Sequence, residues 1–239
     1  MNLSAMQSID KHILFENVYV IRASHLVLKN ISFSIKKGES VAIYGPNGAG
    51  KTTLLMLVNG LLSYYRGNIF VKNTLISPET AQNIRILTGY VPQNFDVDYR
   101  IPILTGTVVL SGCYGKLGLF KYPSHKEIQQ AYQIMEKFEI SHLFNRPFGQ
   151  ISGGERQKAM IARAMMLEPE ILLLDEPFSS VSEASKEKII EIIRNFQKEK
   201  GITILIVSHE KETIKKLCKR IFYIEQGEII SKEDIDGNL

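Results

Sequence analysis

Three short stretches of this 239-residue chain carry residue types that could work together chemically: GPNGAGKTT at 45–53, ILLLDEP at 171–177 and ITILIVSH at 202–209. The first satisfies the pattern G-x-x-x-x-G-K-[ST], directly after the apolar run VAIYG and at the opening of a helical one. Gly45, Gly48 and Gly50 let the backbone turn successive N–H groups inward, and a helix starting near Lys51 adds its positive dipole end. Together with Pro46, Asn47, Ala49, Thr52 and Thr53 they make a nest that suits a polyphosphate. Lys51 can reach β- and γ-phosphates, and the Thr52 hydroxyl can ligate the Mg2+ that bridges them. The plain alternative is a glycine-rich turn before a helix. With Gly near 7% of residues, the four fixed positions match by chance about once in a hundred such chains, and the strand-then-helix context lowers that. The loop alone leaves many nucleotide hydrolases open.

ILLLD reads as a buried strand ending in two acids, which puts Asp175 at the carboxyl end of a central strand beside the phosphate loop. Asp175 is expected to hold Mg2+. Glu176 then points toward the γ-phosphate and acts as base or positioner of the attacking water. Without the loop, two acids before a proline would read as a turn cap; with it, the catalytic reading prevails. His209 follows the next apolar strand, so a third strand end aims at the same crevice and a γ-phosphate contact outweighs a plain loop histidine.

These residues need a scaffold that brings strand ends together. HILFENVYVI at 12–21 and LVLKNISFSI at 26–35, with a turn at Lys37–Gly38, predict an N-terminal, mostly antiparallel sheet. TTLLMLVNG predicts a helix ending at Gly60, and GNIFVKN and ILTGYVPQ return to strand character. Residues 105–167 read as a helical subdomain, with Ser124 and Glu127 as a capping box ahead of HKEIQQAYQIMEKF and with apolar positions at helical spacing in SGGERQKAMIARAMM. A helix from about Ser182 to Lys200 closed by Gly201, the strand ITILIVSH and the charged helix EKETIKKLCKR complete an alternation that predicts a parallel α/β core.

Composition is consistent with this and names no ligand. With 44% hydrophobic residues, 239 residues can bury a sizeable core. No apolar run approaches the ~20 residues of a membrane span. The opening MNLSAMQSIDKH lacks a basic region followed by an apolar one, so no signal peptide and a cytoplasmic location are expected. Cys113 and Cys218 fit neither a disulfide framework nor a zinc cage. A net charge of +4, from 29 basic and 25 acidic residues, is too balanced to announce nucleic acid.

In order, GPNGAGKTT, the glutamine of YVPQ at 90–93, ISGGERQ at 151–157, ILLLDEP and the SH at 208–209 resemble ABC ATPase domains across almost the whole chain. ISGGERQ is the specific element, since other phosphate-loop ATPases lack it. The resemblance implies a single ABC ATPase domain over 1–239: an α/β P-loop fold with a mixed central sheet, an N-terminal antiparallel β-subdomain and a helical signature subdomain. Residues 1–92 and 168–239 would form the core with its β-subdomain, and 93–167 the helical part. It implies two copies closing head to tail on ATP, with Ser152, Gly153, Gly154 and Glu155 completing the partner's site. Ser152 and Glu155 also spell a capping box, and two glycines at a helix start allow close backbone approach to phosphate. Gln93 matches the glutamine that reaches Mg2+. Integral membrane permease subunits and a substrate-binding protein are implied as partners, without nucleic acid, and the chain is expected to be cytoplasmic, peripheral on the inner face of the cell membrane through the permease.

Residues 93–124 look like the same stretch in ATP-binding subunits of zinc, manganese and iron-chelate importers, so the resemblance implies metal-ion uptake driven by Mg-dependent ATP hydrolysis. Three positions depart from the family pattern. Arg22 stands where a tyrosine usually stacks on adenine, and a guanidinium can also stack on a base. Ser182 stands where an aspartate communicates across the dimer, so a weaker link and slower turnover are expected. Ile151 replaces leucine. The rival readings are an ABC ATPase outside transport and a nucleotide-gated clamp that scarcely hydrolyses; Lys51, Asp175, Glu176 and His209 argue against the clamp.

Overall fold

In the computed structural model, which describes residues 11–93, 100–118, 120–179 and 181–235, apolar alternation sorts the chain into two cores on either side of one sheet. The opening MNLSAMQSID, residues 94–99 and Leu119 of the 93–124 stretch, Ser180 and the last four residues of the expected domain lie outside the described residues. Strands β1 (Lys11–Arg22) and β2 (His25–Lys36) pair antiparallel through a two-residue turn, Ala23–Ser24, with both φ positive. β3 (Ser40–Tyr44) leads to α1 (Lys51–Val58), then β4 (Arg66–Val71) and β5 (Thr74–Leu75) extend the first sheet in the order β2-β1-β4-β5. There follow α2 (Ala81–Leu87), β6 (Thr88–Val91), α3 (Thr105–Leu110), α4 (Tyr114–Leu117), α5 (His125–Lys137), α6 (Gly153–Met165), β7 (Ile171–Asp175), α7 (Glu183–Lys200), β8 (Thr203–Ser208), α8 (Lys211–Lys215), β9 (Arg220–Glu225) and β10 (Glu228–Asp234).

The second sheet has the order β10-β9-β3-β8-β7-β6; all pairs are parallel except the β9–β10 hairpin, so the sheet is mixed. Alternate residues of its inner strands enter different cores, as period-2 geometry requires. Ile171, Leu173, Leu205 and Val207 pack with α1 and the antiparallel sheet, whereas Leu172, Leu174, Ile204 and Ile206 pack with α6 and α7. Both faces being covered explains why these strands read as unbroken apolar runs. All three strands that carry the chemistry, β3, β7 and β8, are adjacent and parallel, so their carboxyl ends meet at one edge.

The expected helix ends hold where local chemistry marks them. Ser124 and Ser152 both form full capping boxes, with Glu127 and Glu155, and α7 stops at Gly201 in the left-handed region. Two expectations are corrected. Ile86 and Leu87 belong to α2, not to the strand, which begins at Thr88. The charged helix stops at Lys215, because Leu217 and Cys218 are buried as the chain turns into β9, which pairs with β3. Cys113 and Cys218 are buried free thiols. Among the described residues no helix is long and apolar enough to cross a membrane.

Candidate functional site

Where β3 ends, the chain turns through Gly45–Gly50 and enters α1 at Lys51. Gly48 and Gly50 hold φ of 82° and 99°, a region closed to most side chains. At Gly45 the constraint is contact: a Cβ there would lie 2.1 Å from the Ile224 carbonyl oxygen on β9. Ala49 packs down into the core and anchors the loop from beneath. The Gly50 N-cap offers no side-chain acceptor and the first turn holds no acid, so the leading N–H groups of α1 keep their partial positive charge toward the loop. Lys51 folds back over the loop, its Nζ donating to the carbonyls of Gly45 at 2.9 Å and Pro46 at 3.0 Å.

The β7 end lies beside this loop. Asp175, 2% exposed, accepts from the Thr52 hydroxyl at 3.0 Å through Oδ1 and from the Tyr90 hydroxyl at 3.4 Å through Oδ2. Burial pushes its carboxyl above the usual aspartate range against those two bonds, and burial beside Asp175 pushes the Tyr90 phenol up as well. Tyr90 is a site residue that sequence reasoning missed; its signal was its place in YVPQ, on the strand that delivers Gln93.

Glu176 has φ of 47° and is nearly buried. Its Oε2 accepts the backbone N–H of His209 at 3.3 Å and lies 2.9 Å from His209 Nδ1. Its Oε1 sits 3.5 Å from Lys51 Nζ and has no hydrogen-bond partner. The carboxylate thus stands between the loop lysine and the β8 histidine.

A cavity of about 340 Å³ opens over these groups, lined by Val27, Asn47, Gly48, Gly50, Lys51, Thr52, Thr53, Gln93 and Glu176. The donor set fits a divalent cation on a polyphosphate: a hydroxyl and a buried carboxylate already in contact, a glutamine on the same cavity, and an unpartnered carboxylate oxygen. The remaining expected residues lie elsewhere. Arg22 is exposed at the end of β1, opposite His25 across the turn and off the cavity lining, while Tyr19 faces Arg66, whose guanidinium lies 5.9 Å from its ring. Ser152 and Glu155 bond each other, and with Gly153 and Gly154 they open α6 away from that lining. Gly154 instead faces Ser185, whose Oγ would stand 3.2 Å from an added Cβ. Ser182 occupies the N-cap of α7 but makes no capping bond, its hydroxyl going to Ser185 Oγ at 3.1 Å.

Known proteins resemble this chain in sequence and in fold. The family model described as ABC transporter matches residues 28–179. The manganese transport system ATP-binding protein MntB of Bacillus subtilis is 35% identical over 83% of this chain and 77% of its own length. A probable metal transport system ATP-binding protein of Chlamydia trachomatis is 32% identical over 86% and 77%. Among solved structures, the dimeric post-hydrolysis state of the ATP-binding cassette MJ0796 with ADP and Pi superposes with a TM-score of 0.82 at 28% identity, over 94% of this chain and 99% of that one. The cbiO1 subunit of the Clostridium perfringens cbiONQ transporter gives 0.81 at 28% identity, over 94% and 89%.

Proposed function

This chain belongs to the ABC transporter family as an ATP-binding, ATP-hydrolysing subunit, and we propose that it drives uptake of a metal ion, with the cluster around Glu176 as its hydrolytic centre. The observation that carries the catalytic assignment is the divided Glu176 carboxylate: Oε2 is committed to His209, while buried Oε1 is unpartnered beside Lys51.

Gly45 to Thr53 would cradle the phosphates of ATP through backbone N–H groups, and Lys51 would exchange its two loop carbonyls for β- and γ-phosphate oxygens. Thr52 and Asp175, with Gln93, would hold Mg2+, which supplies charge neutralisation across the phosphate oxygens. Glu176 Oε1 orients and deprotonates the attacking water. His209 donates from Nδ1 to the carboxylate, and as the imidazolium, with both ring nitrogens protonated, it would donate from Nε2 to a γ-phosphate oxygen. Ser152, Gly153, Gly154 and Glu155 start a helix with free N–H groups at its end, which supports their meeting the nucleotide of a second copy in a head-to-tail dimer; the MJ0796 cassette is described as dimeric. Arg22, exposed at the end of β1 and opposite His25 across the turn, is assigned to the adenine face. Permease subunits and a substrate-binding protein would complete the transporter, holding this chain at the cytoplasmic membrane face. The metal cargo follows the MntB and Chlamydia relatives, and it would be recognised by those other subunits.

ATPase activity with Mg2+, measured for the wild type beside Glu176→Gln with dimerisation followed by light scattering, tests the site. Activity lost in the variant together with an ATP-trapped dimer is expected; a variant turning over at the wild-type rate overturns the assignment. Manganese and iron content of cells with and without the chain tests the cargo.

A further inference from the structure

We propose that Lys186 is a positioning residue for ATP hydrolysis, an inference that rests on the roles given above to Glu176 and His209. Its side chain is only 10% exposed, and its Nζ donates to Glu210 Oε2 at 2.7 Å and contacts Glu183 Oε1 at 2.9 Å. Glu210 is therefore gripped from several sides: the same Oε2 accepts from the Thr213 hydroxyl at 2.9 Å, and its backbone N–H donates to Ser208 Oγ at 3.0 Å. Between Ser208 and Glu210 stands His209, whose backbone N–H and ring both address Glu176. A line thus runs from Lys186 by ion pair to Glu210, along the peptide backbone to His209, and by hydrogen bonds to Glu176. At its other end the Lys186 N–H donates to the Ser182 carbonyl at 2.9 Å, and Ser185, one residue earlier, faces Gly154.

Folding alone does not ask for a lysine here. Position 186 lies one turn before Ile189, Ile190 and Ile193, the buried stripe of α7, and an apolar side chain would extend that stripe without desolvating a charge. What an ammonium adds is a fixed, directional tie between the start of α7 and the backbone around His209. Movement of the Ser182–Ser185 turn is then passed to the histidine and on to the Glu176 carboxylate.

The test compares Lys186→Met, Lys186→Arg, Glu210→Gln and the Met/Gln double variant, with Glu176→Gln in parallel. Lys186→Met is expected to lower kcat about tenfold with KM for ATP within about twofold, Glu210→Gln to do the same, and the double variant to be no worse than either. Lys186→Arg restores most of the rate. In the isolated chain without nucleotide, the His209 ring ¹⁵N resonances move in Lys186→Met while those of His142 stay. Unchanged kcat with unmoved His209 resonances overturns the proposal. So does a rise in KM with a lowered melting temperature that arginine fails to restore, since that marks lost packing. If Glu176→Gln retains full turnover, the reading of the site itself fails; if it is inactive while Lys186→Met is normal, only this inference falls. Should turnover require the permease, the resonances decide.

Discussion

His209 addresses one oxygen of Glu176 twice, through ring Nδ1 at 2.9 Å and through its backbone N–H at 3.3 Å, so the carboxylate cannot rotate without breaking both. An amide at 176 still accepts through one atom but no longer takes a proton from water. Glu176→Gln is expected to lower turnover by about 10²-fold or more while ATP still binds. Steady-state ATPase and binding of a fluorescent ATP analogue check the two halves separately.

Ser182 sits at the start of α7 without capping it. Ser182→Asp is expected to raise the ATPase rate of the assembled transporter about fivefold, the lower end of ordinary coupling between sites. It should also stabilise the chain by about 0.5–1 kcal/mol by supplying a cap and a charge at the helix start. An unchanged rate would sink the idea that the missing carboxylate slows this motor.

Gly45 has no room for a side chain because the β9 carbonyl of Ile224 occupies the place. Gly45→Ala is expected to push the phosphate loop off β9, costing about 1–3 kcal/mol of stability and weakening ATP binding together. Denaturant unfolding with and without ATP measures both, and full wild-type affinity in a destabilised variant would dissociate the two effects.

His12, on β1, is buried against β8 and the turn before β3. The Gly38 N–H donates to Thr203 Oγ1 at 2.8 Å, and the same hydroxyl lies 2.5 Å from His12 Nδ1. Burial lowers its pKa below the ordinary 6.5, with Glu170 acting in the opposite direction. The unfolded chain therefore takes up the proton first as pH falls, so stability is full above pH 6.5 and declines from there toward the depressed native value. Urea midpoints from pH 7.5 down to 5.5 should fall in the wild type and fall less in His12→Gln; parallel slopes would remove His12 as the cause.

Much of the site was legible because it depends on local spacing. The glycines of the loop, the two acids after ILLL, the capping boxes at Ser124 and Ser152 and the stop at Gly201 each state their own geometry over a few residues. What escaped depends on which elements become neighbours. Tyr90 and Asp175 are 85 residues apart and meet only because β6 and β7 pair. Lys186 and Glu210 meet only because α7 lies against the end of β8. The charged run 210–220 has helical composition throughout, yet the demand of β9 for a place beside β3 ends the helix early.

Glu176 carries its carboxylate on a left-handed backbone, which for a residue with a Cβ costs roughly 1–2 kcal/mol. Glycine would adopt the same conformation without strain. The most reactive position of the chain is thus one where fold stability and turnover pull in opposite directions. A library screened only for heat resistance should drift toward glycine at 176 and return proteins that outlast the wild type while doing no work.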